Sequence, residues 1–280
     1  MTALVSWLGV DSRGPSSVYI ATDSAISWIN KPEAKKPDAV WANGQKVFSC
    51  RTQPELFGFF GHVGFPTMVI GQLVELIDRG VLFQSGDSAE IKTERIHDLL
   101  IRSQKSHPIS CGQWLLLTDF MILHATREGD GMKSRFRVWE HYWSSKNGWS
   151  SVEKEIPKVS KIITVGGSGT SAFLEWNKKW QDSPIARTSR AVFSAFCDAL
   201  KSGKDLFCGG APQIGGLFRT GVSNQFGVIY DQTRYIAGVE ASDDWQNNEL
   251  EWFNELFERC DPKTFTVKQG AQRQPRPKGI

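Results

Sequence analysis

Strands and helices are predicted in separate groups along this 280-residue chain, and that grouping limits its fold more than any other feature of the sequence. The apolar patterns of strands occur over 3–9, 18–22, 46–50, 56–61, 114–117, 121–126, 136–142, 161–165, 225–230 and 234–239. Helical spacing occurs over 66–77, 91–100, 170–180, 188–200 and 250–257. Because parallel sheets need strands that alternate with helices, these grouped runs predict an α+β fold with largely antiparallel sheets under helix layers.

Composition and charge exclude several classes of protein. The chain is 40% hydrophobic and 22% charged, which fits one large globular domain or two small ones. Its formal net charge of +3 is too small to indicate a nucleic-acid partner. The apolar runs are far shorter than a membrane span, and no basic segment with an apolar stretch opens the chain. We therefore expect a cytoplasmic protein with no nucleic-acid or membrane partner.

The cysteines and histidines do not follow the spacing of a metal or disulfide site. Five cysteines are scattered without a Cys-x-x-Cys pair, and five histidines show no His-x-x-x-His pair. Neither a disulfide framework nor a zinc site is predicted, and a reducing cytosol suits such a chain. No cofactor is expected.

The C-terminal segment differs in composition from the rest of the chain. From Lys268 onward four basic residues and two prolines occur with no acidic residue. We predict that residues 261–280 form a disordered basic tail and that residues 2–260 form a single domain.

Thr2 is the residue with the most specific chemical potential. Removal of Met1 would place its hydroxyl and a free α-amine on one residue. An α-amine has a pKa of about 7.7–8.0, so near neutral pH it can accept a proton from a neighbouring hydroxyl. Thr2 could therefore act as nucleophile and base together, and the strand that follows it would hold it in place.

Thr2 and four short motifs follow one another in a fixed order along the predicted elements. They are Thr2 itself, Ala21-Thr22-Asp23-Ser24, Lys46-Val47-Phe48, Phe60-Gly61-His62-Val63-Gly64 and Gly167-Ser168-Gly169. Together they resemble the proteasome-like N-terminal-nucleophile hydrolases, and among these the bacterial HslV-type peptidase subunit most closely. The resemblance covers roughly residues 2 to 260.

The resemblance implies both a fold and a set of roles. It implies a four-layer αββα sandwich with two mostly antiparallel sheets between helix layers. Thr2 would be the nucleophile, and Asp23 would support Lys46, whose cation favours the unprotonated amine. The main-chain N–H of Gly61 would meet the oxyanion, and the Ser168 hydroxyl would lie beside the amine.

One motif departs from the family's pattern. Eukaryotic β subunits carry Asp-x-x-Ser before their penultimate strands, whereas this chain has threonine at position 220 and Ser223 three residues later. The stretch is similar to the HslV-type Thr-Asn-x-Phe, so Ser223 is expected to orient the proton without an acidic neighbour. The segments 28–45 and 127–155 are longer than usual for the family.

Several functions remain open at this stage. The first is a threonine peptidase subunit that cleaves polypeptides, self-associates into a ring or stacked oligomer and docks an ATP-dependent unfoldase. The second is a non-catalytic proteasome-like scaffold, with Met1 retained or the site incomplete, and the third is an amidase acting on a small substrate. The glycine-rich loop at 166–169 could also cradle a phosphate, although it lacks the Gly-x-x-x-x-Gly-Lys-(Ser/Thr) pattern.

Overall fold

The computed structural model describes residues 2–30, 34–84, 86–108, 117–242, 244, 250–273 and 276–279. Four α-helices lie in these ranges: α1 (Gly64–Asp78), α2 (Ala89–Lys105), α3 (Thr170–Gln181) and α4 (Ser189–Lys201). The side chain of Ser88 accepts the N–H of Ile91, and Thr188 accepts that of Ala191, so both α2 and α4 begin at capped ends.

The first and second sheets each contain five antiparallel strands. The first has the order β10-β1-β2-β11-β12, with β1 Leu4–Asp11, β2 Gly14–Thr22, β10 Lys161–Gly166, β11 Gln213–Phe218 and β12 Asn224–Gln225. The second has the order β5-β6-β7-β8-β9, with β5 Val47–Ser49, β6 Glu55–Gly61, β7 Phe120–Glu128, β8 Arg135–Ser144 and β9 Gly148–Lys154. The predicted strands at 3–9 and 18–22 pair as the hairpin β1–β2, and those at 46–50 and 56–61 pair as β5–β6.

Two further sheets complete the described strands. The third has the order β15-β14-β13-β16-β17, with β13 Gly227–Tyr230, β14 Thr233–Ile236, β15 Val239–Glu240, β16 Trp252–Asn254 and β17 Arg259–Cys260. Its β13 and β16 pair in parallel. The fourth is a two-stranded ribbon of β3 (Ile26–Trp28) and β4 (Ala39–Trp41).

The buried core has three main parts. One joins α3 and α4 to the first sheet through large aromatic side chains such as Trp7, Phe173 and Phe196. Another joins α1 and α2 to the second sheet, and a third is shared by the first and second sheets. At about 25 cal/mol per Å² of apolar surface, burial on this scale supplies most of the stabilisation of the fold.

The predicted four-layer αββα sandwich is wrong as a description of this chain. The described strands form four separate sheets instead of two, and the chain is mostly β with four helices in those ranges. Two segments account for the difference. The long stretch after β2 folds as the ribbon, and the stretch from 227 to 260 builds a sheet of its own.

The predicted C-terminal helix over 250–257 is also wrong. Trp252–Asn254 is a strand, because Gly227 and Val228 of β13 pair with Trp252 and Phe253. The Asn254 side chain then accepts the N–H groups of Leu256 and Glu258 in a tight turn. The predicted strand over 114–117 lies almost wholly outside the described residues.

Beyond β17 the chain returns to the body of the protein. Cys260 forms a β-bridge with Val267, and Arg190 donates to the carbonyl of Gln272 at 2.6 Å. The division into a domain and a tail stays a prediction. Among the helices of the described ranges, none is both long and apolar enough to cross a membrane.

Candidate functional site

Thr2 lies two residues before the first residue of β1 and has no exposed surface. Its carbonyl oxygen accepts the N–H of Gly169 at 3.3 Å. Gly167 has φ +88°, and a Cβ added there would lie 1.9 Å from the Thr2 carbonyl oxygen. Only glycine fits this close approach, so the loop is shaped around the main chain of Thr2.

The other two glycines of the loop have similar neighbours. A Cβ on Gly166 would meet the ring of Phe60 at 2.0 Å, and one on Gly169 would meet the Ala3 side chain at 2.6 Å. The three glycines therefore allow the loop to pack closely against Thr2, Ala3 and Phe60. It leaves the phosphate-cradle interpretation of this loop without support.

Asp23 and Lys46 form an ion pair with no exposed surface on either side chain. Lys46 Nζ lies 2.9 Å from Asp23 Oδ1, and the same oxygen accepts the N–H of Ala3 at 3.0 Å. Asp23 Oδ2 accepts the N–H groups of Ala25 and Gly209, both at 3.1 Å. The carboxylate thus joins the cation to the residue next to Thr2.

Gln213, which the sequence did not single out, holds the main chain around this pair. Its Oε1 accepts the N–H of Lys46 at 3.1 Å, and its Nε2 donates to the carbonyl of Gly44 at 2.7 Å. Lys46 Nζ also donates to the carbonyl of Ala25 at 2.5 Å. No local pattern could have identified Gln213, because its contacts span more than 160 residues of chain.

Ser168 contacts a residue that the sequence reasoning did not single out. Its Oγ lies 3.5 Å from the Sγ of Cys208, which in turn donates to Asp205 Oδ2 at 3.1 Å. Burial raises the pKa of the Cys208 thiol, and the negative charge of Asp23 adds to the effect. This thiol therefore stays protonated at neutral pH and can donate.

Asp205 and Cys208 have the Asp-x-x-Ser spacing with cysteine in the last place, and Gly209 and Gly210 follow them. This spacing was the signal that could have identified them. The sequence reasoning instead took the stretch at 220–223 for the counterpart of that motif.

Ser223 does not lie with the other predicted site residues. Its Oγ donates to the carbonyls of Cys50 and Glu55 at 3.0 and 2.6 Å. Glu55 and Gly61 are the two ends of β6, about 20 Å apart at the usual rise per residue. Ser223 fastens the turn between β5 and β6.

Gly61 ends β6 just ahead of α1. Its φ is +96°, and an added Cβ would lie 2.3 Å from the carbonyl oxygen of Asp119. Gly61 follows Phe60 in the sequence, and the ring of Phe60 contacts the loop around Thr2. The next residue is His62, and burial, assisted by His107, lowers its pKa to about 4.

Metal chemistry finds no support in the described ranges. No group of three His, Cys, Asp or Glu side chains there is placed to hold a metal ion.

Comparison with known proteins gives likeness in fold only. No protein-family model matches the sequence, and no curated protein matches it. Among solved structures, the chain is similar to an Anbu Gly-1 mutant from Hyphomicrobium sp. strain MC1, with 9% identity and a TM-score of 0.49. That match covers 80% of this chain and 86% of the other. Anbu, an ancestral beta-subunit, from Yersinia bercovieri matches with 8% identity and a TM-score of 0.48, over 87% and 88% of the two chains.

The resemblance to the HslV-type subunit is therefore wrong. The four separate sheets of the described residues depart from the architecture that the resemblance implied.

Proposed function

We propose that this chain is an N-terminal threonine hydrolase that cleaves peptide bonds with Thr2 after removal of Met1. The single observation that supports this most is the fully buried ion pair of Lys46 and Asp23 beside the N-terminal segment.

The energetics of that pair favour a functional role. Moving a charge out of water costs several kcal/mol even after relaxation, and apolar residues of similar volume often stabilise a protein as well or better. Here the cost is offset by four donors to Asp23 and by a carbonyl acceptor for Lys46. A buried cation whose carboxylate partner also binds the N–H of Ala3, the residue after Thr2, suits chemistry better than it suits folding.

The proposed reaction uses Thr2, Lys46 and the main-chain N–H of Gly61. The α-amine of Thr2 takes the hydroxyl proton, and the Lys46 cation favours both the neutral amine and the alkoxide by Coulomb interaction. The oxygen attacks the scissile carbonyl, and the N–H of Gly61 would meet the oxyanion. The protonated amine then gives its proton to the leaving amine, and water hydrolyses the ester on Thr2.

Ser168 takes the relay role in this proposal. The Cys208 thiol and, through it, Asp205 would hold the Ser168 hydroxyl beside the amine. Ser223 has no part in the proposed reaction. Polypeptide is the proposed substrate, the proposed assembly is a ring or stacked oligomer of this chain, and an ATP-dependent unfoldase is the partner that would deliver the substrate.

Two measurements on the purified full chain test the proposal. Intact mass spectrometry is expected to show loss of Met1. A peptide α′,β′-epoxyketone is then expected to add its whole mass to Thr2, because the hydroxyl adds to the ketone and the free amine opens the epoxide, with no leaving group. Thr2→Ser should keep the adduct and peptide cleavage, whereas Thr2→Ala should lose both.

Ser223→Ala supplies the matched control, since it also removes a buried hydroxyl. Its cleavage rate per folded chain is expected to equal that of the parent. Retention of Met1 would support the scaffold alternative, and undiminished cleavage by Thr2→Ala would remove Thr2 from the reaction.

A further inference from the structure

A cavity of about 580 Å³ lies at the far end of β1 from Thr2. Gly9 and Val10 of β1 form part of its wall, which puts it about 23 Å from Thr2 at the usual rise per residue. Its volume is in the range of small-molecule sites. The proposed reaction uses none of its residues.

One side of the cavity is positively charged. Arg187, Arg190 and Arg259 line it together with Glu251, the partner of Arg259 at 3.3 Å. Arg190 is only 6% exposed. Two of these three guanidinium groups therefore have no carboxylate partner among the residues that line the cavity.

The bonding of Arg190 is incomplete. Its Nη2 donates to the carbonyl of Gln272 at 2.6 Å, and its Nη1 is 3.8 Å from Glu258 Oε1. Within the described ranges Nη1 has no hydrogen-bond partner. Nη1 itself has almost no accessible surface, and it is the positive charge of Arg190 in the lining that favours an anionic ligand in the cavity.

The N-terminus of α4 opens on the same side. The Thr188 hydroxyl accepts the N–H of Ala191 at 3.1 Å, whereas helix geometry leaves the N–H groups of Ser189 and Arg190 without an intrahelical acceptor. Arg187, just ahead of the helix, has φ +57°, an uncommon value for a residue other than glycine. Helix N-termini of this kind bind phosphate.

Another part of the lining is aromatic. Phe218, Phe253 and Phe257 line it, with Tyr19 beside them. Phe253 and Phe257 stack at 4.7 Å between ring centroids, and Tyr19 meets Phe257 edge to face at 5.4 Å. Such a wall accommodates a flat apolar group better than a charged one.

We propose that this cavity binds a small phosphate monoester that carries a flat ring. The phosphate would lie between the N-terminus of α4, Arg187 and Arg190, and the ring would pack against Phe218 and Phe257. The proposal does not depend on the peptidase function, since its readout is binding alone.

Phenyl phosphate is the probe for this proposal. Isothermal titration calorimetry on the full chain at constant ionic strength is expected to show one saturable site per chain. Inorganic phosphate lacks the ring and phenol lacks the charge, so each should bind at least about tenfold more weakly. Equal affinity for inorganic phosphate would overturn the ring position, and absence of saturable binding would overturn the whole assignment.

Two substitutions localise the binding. Arg187→Gln removes an exposed guanidinium and should weaken phenyl phosphate about tenfold or more, the usual effect of losing a charge-assisted hydrogen bond. Arg79→Gln is the matched control, because Arg79 is also exposed but lies just beyond the end of α1. Arg190→Met should abolish binding, with circular dichroism to show that it is folded. Equal weakening by Arg187→Gln and Arg79→Gln would place the ligand elsewhere.

Discussion

At the scale of single residues, His141 carries the clearest pH dependence. Its ring lies in a stack with His124 and His97, at centroid distances of 6.2 and 5.3 Å. Burial lowers the pKa of His141 well below its usual value, and the neighbouring histidines add to the effect. Glu55 lies 2.7 Å from His124 Nε2 and is also paired with Lys92 at 2.8 Å. Folded His141 is therefore neutral where the unfolded chain would already be protonated.

We predict that acid destabilises the protein through this residue. Because the folded pKa is depressed, stability is complete above about pH 6.5 and falls below it by about 1.4 kcal/mol per pH unit for each such histidine. His141→Phe keeps a flat ring and should reduce the slope of the unfolding free energy against pH by one proton, about 1.4 kcal/mol per pH unit. Urea unfolding between pH 7 and 5 measures it, with Tyr142→Phe as the control on the same strand. Parallel curves for His141→Phe and the parent would contradict the prediction.

At the scale of elements, local patterns predicted what is locally determined. The hairpin β1–β2 and the helices α1 to α4 follow from turn residues, caps and apolar spacing within each segment. The stretch from Trp252 to Phe257 was misassigned, because its apolar spacing fits a helix while pairing with β13 makes it a strand. Strand β11 was missed, although it pairs with β2 and carries Gln213 into the site.

The residues of the candidate site also differ in how far the sequence alone identifies them. The residues that stand beside recognisable motifs, Thr2, Asp23, Lys46 and Ser168, could be selected from the sequence. The partners of Ser168 carried a local signal in the spacing of Asp205 and Cys208, but their contact with Ser168 depends on folding, because Cys208 lies 40 residues further along the chain.

The glycine-rich loop gives a prediction at this scale. Gly167→Ala would push a methyl group against the Thr2 carbonyl oxygen, so the N-terminal segment must move. A displacement of about 1 Å can cost about a hundredfold in rate, which is the loss of peptide cleavage that we expect. Gly203→Ala is the control, since Gly203 also has a positive φ, +59°, but nothing within 4 Å of an added Cβ.

Both variants share the backbone strain of alanine at positive φ, roughly 1–2 kcal/mol. The temperature of thermal unfolding should therefore fall for each of them, whereas only Gly167→Ala should lose peptide cleavage. Normal cleavage by Gly167→Ala would show that the loop does not position Thr2.

At the scale of the whole molecule, the ribbon of β3 and β4 and the residue that follows β3 expose four large apolar side chains. Trp28, Ile29, Val40 and Trp41 are each between 37 and 51% exposed. A two-stranded ribbon is marginally stable in water by itself, and exposed apolar patches mark sites of interaction. The hydroxyl of Ser27, in β3, donates to the carbonyl of Phe207 at 2.8 Å. Phe207 is the residue before Cys208. Contact at the ribbon would therefore reach the candidate site.

We predict that the ribbon is an interface between copies of this chain in the proposed oligomer. Light scattering during size-exclusion chromatography at about 10 μM should give a mass several times that of the 31.4 kDa chain. Trp41→Lys should lower this mass, because burying an unpaired ammonium in an apolar interface costs several kcal/mol. Met132→Lys changes a comparably exposed apolar residue outside the ribbon and should leave the mass unchanged. A monomeric parent would contradict self-association, and an unchanged mass for Trp41→Lys would assign the interface to another surface.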